Sequence, residues 1–108
     1  MLALSLKLIL RKTFVYKQRG ASYKALEQYA AAIKDYDEAI RLNNEDVNAY
    51  YSRGVSHSAL QNYEAAVADF SVVIQFDPEF VAAYSRRADA HEAMGNADAA
   101  ARDRKALE

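Results

Sequence analysis

Apolar residues recur along most of this chain at steps of three and four, the spacing that gathers side chains onto one face of an α-helix. Within residues 13–26, Tyr16, Gly20, Tyr23 and Leu26 share one face while Lys17, Gln18 and Lys24 point elsewhere. Glu27-Gln28 forms a short polar turn, and Tyr29, Ala32, Ile33, Tyr36, Ala39 and Ile40 then mark a second amphipathic helix that ends near Leu42. Asn43-Asn44-Glu45-Asp46 follows, a run of side chains that bond to nearby backbone and start helices. The pattern next predicts a helix from Val47 to Leu60, a Gln61-Asn62 turn and a helix from Tyr63 to Phe76. Asp77-Pro78 closes that unit, because proline disfavours helical geometry in the residue before it. A further helix starts at Val81 and turns at Gly95-Asn96, where glycine suits a left-handed helix terminus. About ten residues of a last helix then reach Glu108.

These elements repeat. A step of 34 residues relates Tyr16 to Tyr50 and Tyr84, Arg19 to Arg53 and Arg87, Gly20 to Gly54 and Ala88, and Ala32 to Ala66 and Ala100. Asp35, Asp69 and Asp103 are related in the same way. Self-similarity at this period marks a solenoid, in which each unit stacks on its neighbours. The units are 13–46, 47–80 and a shorter 81–108, with residues 1–12 outside the pattern. In residues 1–12, Leu2, Leu4, Leu6, Leu8 and Leu10 alternate with Ala3, Ser5, Lys7 and Ile9. Lys7 interrupts the apolar run and no small-residue cleavage site follows, so a secretory signal fits poorly, and the run is too short to span a bilayer. Counting the repeat phase backwards puts Leu2, Ser5 and Leu8 where Tyr36, Ala39 and Leu42 fall one unit later, which predicts the tail of a helix from a preceding, truncated repeat. A targeting element and an unstructured leader are the alternatives. Seven helices or helix fragments are expected in total.

Composition narrows the function classes. With 108 residues and 52% apolar content, one small domain can build a core without disulfides or metal. The absence of cysteine excludes thiolate metal sites and is compatible with a reducing compartment such as the cytoplasm. Three glycines and one proline are too few breakers for an all-β chain. The formal net charge is −1, with residues 1–12 contributing Lys7, Arg11 and Lys12 and no acid. No basic face of the kind that binds a phosphate backbone emerges, which argues against RNA or DNA as a partner.

The repeats resemble the tetratricopeptide repeat, a 34-residue helix-turn-helix unit with an aromatic at position 4, Gly or Ala at 8, Ala at 20, an aromatic at 24 and Pro at 32. Counted from Thr13, Val47 and Val81, the matching residues are Tyr16, Tyr50 and Tyr84; Gly20, Gly54 and Ala88; Ala32, Ala66 and Ala100; and Tyr36 and Phe70. Pro78 alone fills position 32. Arg19, Arg53 and Arg87 stand where leucine is usual, Val73 replaces a small residue, and Arg104 replaces the third aromatic. The resemblance implies an all-α, right-handed superhelical solenoid of antiparallel helix-turn-helix repeats. It also implies a non-catalytic module that binds a protein or peptide segment, without a cofactor, in the concave groove lined by the first helix of each unit. The small residues at positions 8 and 20 let paired helices approach closely, and the aromatics fill the space between units.

By that implication the groove takes Phe14, Lys17, Gln18, Ala21 and Lys24 from the first unit. The second supplies Asn48, Tyr51, Ser52, Val55 and Ser58, and the third Ala82, Ser85, Arg86, Asp89 and Glu92. The candidate contacts are Lys17, Lys24, Asn48, Tyr51, Ser52, Val55, Ser85, Arg86 and Asp89, with an acidic group of the ligand near Lys17, Lys24 or Arg86 and a side chain against Tyr51. One subgroup of the family clamps the terminal carboxylate of heat-shock chaperones with five residues. Lys17 and Arg86 match that set, whereas Ala21, Ser52 and Ala82 do not. Self-association through the uncapped ends of the stack is the alternative function. His57 and His91 occupy the position of Tyr23 and read as packing residues, and no third His or Cys completes a metal site. No phosphate loop or nucleophile elbow occurs. The recurring Asp35, Asp69 and Asp103 are expected to be either solvated or bridged across helices, with Arg19, Arg53 and Arg87 as candidate partners, and not catalytic.

Overall fold

The computed structural model describes residues 2–108, which form six α-helices and no strand. These are α1 (Leu2–Ala25), α2 (Tyr29–Leu42), α3 (Val47–Ala59), α4 (Tyr63–Phe76), α5 (Val81–Ala93) and α6 (Ala97–Lys105). Each helix packs on the one before it and the one after it, giving an elongated body of 50 × 28 × 17 Å. Besides these sequential pairs, α1 touches α3 and α3 touches α5, whereas the second helices of successive units do not meet. The first helices therefore form the inner, more closely spaced layer and the second helices the outer one.

Six helices replace the expected seven. Residues 2–12 are helical, but they are the first half of α1, a single helix of 24 residues, and not the end of a second-position helix from an earlier unit. The sequence at the join holds no glycine or proline to stop the helix, and the Thr13 hydroxyl donates to the Ile9 carbonyl at 2.8 Å across it. Leu2, Ser5 and Leu8 thus do not take the places of Tyr36, Ala39 and Leu42.

The turns inside the units share one conformation. Glu27 (φ 60°), Gln61 (φ 63°) and Gly95 (φ 82°) sit at the same repeat position, and all are left-handed. Only the third has the residue that adopts this shape without a steric penalty. Between units, Asn43 Oδ1 accepts from the Glu45 amide at 3.2 Å and Asp77 Oδ1 from the Glu79 amide at 3.1 Å. Asp46 caps α3 by accepting from the Ala49 amide at 3.2 Å.

Packing within a unit turns on the residue pair at positions 8 and 24. A β-carbon built on Gly54 would lie 2.8 Å from Phe70 Cε1, and one on Gly20 3.1 Å from Tyr36 Cε1 and Cζ. The aromatic ring fills the space a side chain would take. In the third unit the ring is replaced by Arg104, and there the small residue is Ala88. Two clusters follow: Ala32, Tyr36, Ala39 and Ala49 in one, and Ala66, Phe70, Val73 and Ala83 in the other. Each joins one unit to the first helix of the next.

The expected ion pairs form a ladder along the stack. Arg19, Arg53 and Arg87 each donate through Nε and Nη2 to both oxygens of Asp35, Asp69 and Asp103, at 2.6–2.9 Å. Each guanidinium also lies 5.6–5.9 Å from the ring centroid of Tyr16, Tyr50 or Tyr84. The third nitrogen reaches the preceding unit: Arg53 Nη1 donates to Asp37 Oδ1 at 2.9 Å, and Arg87 Nη1 to Ser71 Oγ at 3.0 Å. Charged residues at a position usually held by leucine therefore tie units together.

Candidate functional site

The site follows from the inner layer, where α1, α3 and α5 run side by side and present alternate helical positions to solvent. At its centre stands Tyr51 of α3, wedged by tilted rings: Phe80 lies 4.9 Å away centroid to centroid and Phe70 5.7 Å. Arg86 Nε of α5 donates to the Tyr51 hydroxyl at 3.2 Å. Residues one repeat apart, shifted by a single position, are thereby joined.

Lys24, near the end of α1, comes from the opposite side. Its ammonium is held below the ordinary lysine pKa, first by partial burial and second by the charge of Arg86. Residues 62 positions apart in sequence thus influence one another through charge. Neither Lys24 nor Arg86 has a carboxylate within ion-pairing distance among the described residues. Two cations that repel one another, one bonded to a phenol and the other partly desolvated, favour an anion between them.

Other expected contacts have different surroundings. Lys17, expected as an open partner for a ligand's acidic group, is engaged within the chain: its Nζ lies 2.8 Å from Asp46 Oδ2, itself the cap of α3. Asp89 is exposed and pairs with Arg104, whose guanidinium also binds Glu92. Val55 is partly buried and belongs to the second core cluster. Ser52 is partly buried, and its carbonyl accepts from Ser56 Oγ at 3.0 Å. Asn48 and Ser85 are exposed, as is Phe14. Tyr51 and Arg86 are thus joined directly, Lys24 is linked to Arg86 through charge alone, and the other expected contacts are either engaged within the chain or exposed.

Sequence reasoning missed Phe80, which supports the Tyr51 ring from the connector, and Asp46, which occupies Lys17. The Asp46 role was legible in outline, since it ends the run Asn43–Asp46 just before a helix. His57 and His91 keep Nδ1 buried without a hydrogen-bond partner. No cluster of three or more His, Cys, Asp or Glu able to hold a metal occurs among the described residues, and no helix of the structure is long and apolar enough to cross a membrane.

Comparison with known proteins agrees with this architecture. A family model described as TPR repeat matches residues 20–61, and one described as Tetratricopeptide repeat matches residues 47–80. Among solved structures, the TPR domain of Arabidopsis OM64 is 30% identical with a TM-score of 0.87, covering 92% of this chain and 83% of that one. The TPR2B domain of yeast Sti1, solved in complex with pHsp70, is also 30% identical, with a TM-score of 0.85 and coverage of 90% and 78%. The first TPR of Spaghetti (RPAP3), bound to the HSP90 peptide SRMEEVD, has a TM-score of 0.85 over 90% of this chain and 77% of that one. At 23% identity that likeness is one of fold. Among curated proteins, none matches the chain by sequence.

Proposed function

The chain belongs to the tetratricopeptide repeat family, whose modules mediate protein interaction, and on that premise we propose that it binds an acidic peptide segment of a partner protein along its inner face. The observation that carries this reading is the hydrogen bond from Arg86, a cation without an internal counter-ion among the described residues, to the anchored Tyr51 ring, with Lys24, a second such cation, within reach of the Arg86 charge. A ligand carboxylate between Lys24 and Arg86 removes their mutual repulsion. A neighbouring apolar side chain covers the Tyr51 ring, and Asn48, Ser52, Val55, Ser85 and Asp89 border the track.

The relative from yeast Sti1, complexed with pHsp70, supports a protein ligand of this kind. The five-residue carboxylate clamp is a different matter. Only Lys17 and Arg86 match it, and Lys17 is committed to Asp46. The acid is therefore assigned to the Lys24–Arg86 pair, displaced from the clamp arrangement, and no catalytic chemistry is required.

Isothermal titration with a short peptide carrying adjacent glutamates tests this. Binding in the micromolar range is expected, weakening with salt, and falling by about tenfold or more in Lys24→Ala and in Arg86→Ala. Affinity unchanged in both variants would remove the proposal.

A further inference from the structure

The outer face of α1 differs from the matching faces of α3 and α5 in one respect: none of the described residues covers it. In α3 and α5 the third and tenth repeat positions are shut against the preceding unit, with Ala49 at 1% exposure and Ala83, Ser56 and Ala90 at 0%. Their counterparts on α1 are Val15, 53% exposed, and Ser22, also exposed. The same face runs on through residues 2–12, since Leu4, Leu8, Arg11, Val15, Arg19 and Ser22 follow one another at steps of three and four. That stripe is about 27 Å long at the rise of an α-helix. It lies to one side of the positions assigned to the inner groove.

The ladder of arginines states what the face lacks. In the second and third units the Nη1 nitrogen crosses to the preceding helix, where Asp37 or Ser71 accepts it. Arg19 holds Asp35 in the same way as its counterparts, yet its Nη1 has no partner among the described residues. Its side chain is 56% exposed, against 22% and 21% for Arg53 and Arg87. The stripe itself carries Arg11, while Lys7 and Lys12 lie in the same N-terminal half of the helix, and α1 has not one acidic residue. The interface is therefore built for a helix with an apolar stripe and a carboxylate or hydroxyl facing Arg19.

We propose that the open face of α1, from Leu4 to Ser22, docks an acidic amphipathic helix of a partner protein, which stacks there as α2 stacks on α3. A second copy of the chain fits less well. The α6 residue that would meet Arg19 is Lys105, a cation, where Asp37 and Ser71 stand in the earlier units. Two α1 faces set together would oppose like charges. Complementarity thus selects an acidic helix.

A labelled peptide of the α2 sequence, Gln28 to Glu45, is a suitable probe, because its Asp37 already performs this contact with Arg53. Fluorescence anisotropy should show saturable binding to the intact chain. Affinity should fall by about tenfold or more for the peptide carrying Asp37→Lys, and likewise for the protein variant Val15→Glu. Val15→Glu changes an exposed side chain, so its circular dichroism and its titration with the acidic groove peptide should stay as in the wild type. The inference is overturned by equal binding of the two peptides, or by no saturation up to about 1 mM. It is equally overturned if Val15→Glu abolishes a concentration-dependent dimer seen by light scattering, or abolishes partition onto phosphatidylserine vesicles, since the face would then serve a second copy or a lipid surface.

Discussion

Placing a single methyl group at Gly54 should lower the stability of the chain, although glycine within a helix is ordinarily unfavourable. Gly54→Ala removes backbone freedom from the unfolded state and gains about 1 kcal/mol from helix propensity. Against this, the new carbon would stand 2.8 Å from Phe70 Cε1 and 3.0 Å from Cζ, and Phe70 is fully buried, so its ring has nowhere to retreat without moving α4. Overpacking of this kind costs about 1–3 kcal/mol. The difference leaves a loss of about 1 kcal/mol, or a melting point lower by about 4–8 °C for a domain near this size. Phe70→Leu alone is also destabilising, but it removes the obstructing ring edge. In that background Gly54→Ala should become stabilising, with a coupling energy of about 1–2 kcal/mol in the double-mutant cycle. Urea and thermal unfolding of the four proteins measure this directly. If Gly54→Ala raises the melting point of the wild type, or shifts it equally in both backgrounds, contact between positions 8 and 24 is not what keeps glycine there. The third unit, which pairs Ala88 with Arg104 and no ring, already follows the expected rule.

Two further outcomes follow from local conformation and charge. Gln61→Gly should raise stability by about 1 kcal/mol in urea unfolding, because Gln61 is held at φ 63° and its counterpart Gly95 fills the same position without strain; a loss would show that the Gln61 side chain makes up for its backbone. Lys24→Met should raise the melting point while weakening acidic-peptide binding, because partial burial and Arg86 make the Lys24 charge unfavourable in the folded chain. The sign follows from the depressed pKa of a base: the unfolded chain binds that proton more tightly. The cost is thus present at neutral pH and is relieved as pH rises from the folded value towards the ordinary lysine range. A lower melting point for Lys24→Met, or unaltered binding, would contradict the assignment of Lys24 to the ligand.

Much of this was legible in the spacing of residues, and the exceptions have physical causes. The spacing located α2 to α5 within a residue or two and α6 to within three, and the 34-residue step brought out the fixed phase of the Arg and Asp residues that pair. It misread residues 2–12, because leucine at every second position carries no helical face and the absence of a breaker before Thr13 says only that a helix can continue. The left-handed turns at Glu27 and Gln61 were hidden for a related reason: neither residue type announces that geometry, whereas Gly95 does. At the site, repeat position placed Tyr51, Lys24 and Arg86 on one surface, but could not tell which cations are already neutralised. Lys17 is, through Asp46, and that depends on how the connector folds over α1. The effect of Arg86 on Lys24 depends on how α1, α3 and α5 sit side by side, a property of all three units and of no local stretch.

The central claim is that the inner face around Lys24, Tyr51 and Arg86 receives an acidic segment, and residue-resolved NMR during titration with a glutamate-containing peptide tests it most directly. Saturable shifts are expected in the signals of Lys24, Tyr51, Ser52, Val55 and Arg86, abolished together in Lys24→Ala. Shifts confined to α2, α4 and α6, or to Val15 and Ser22 on the outer face of α1, would contradict it.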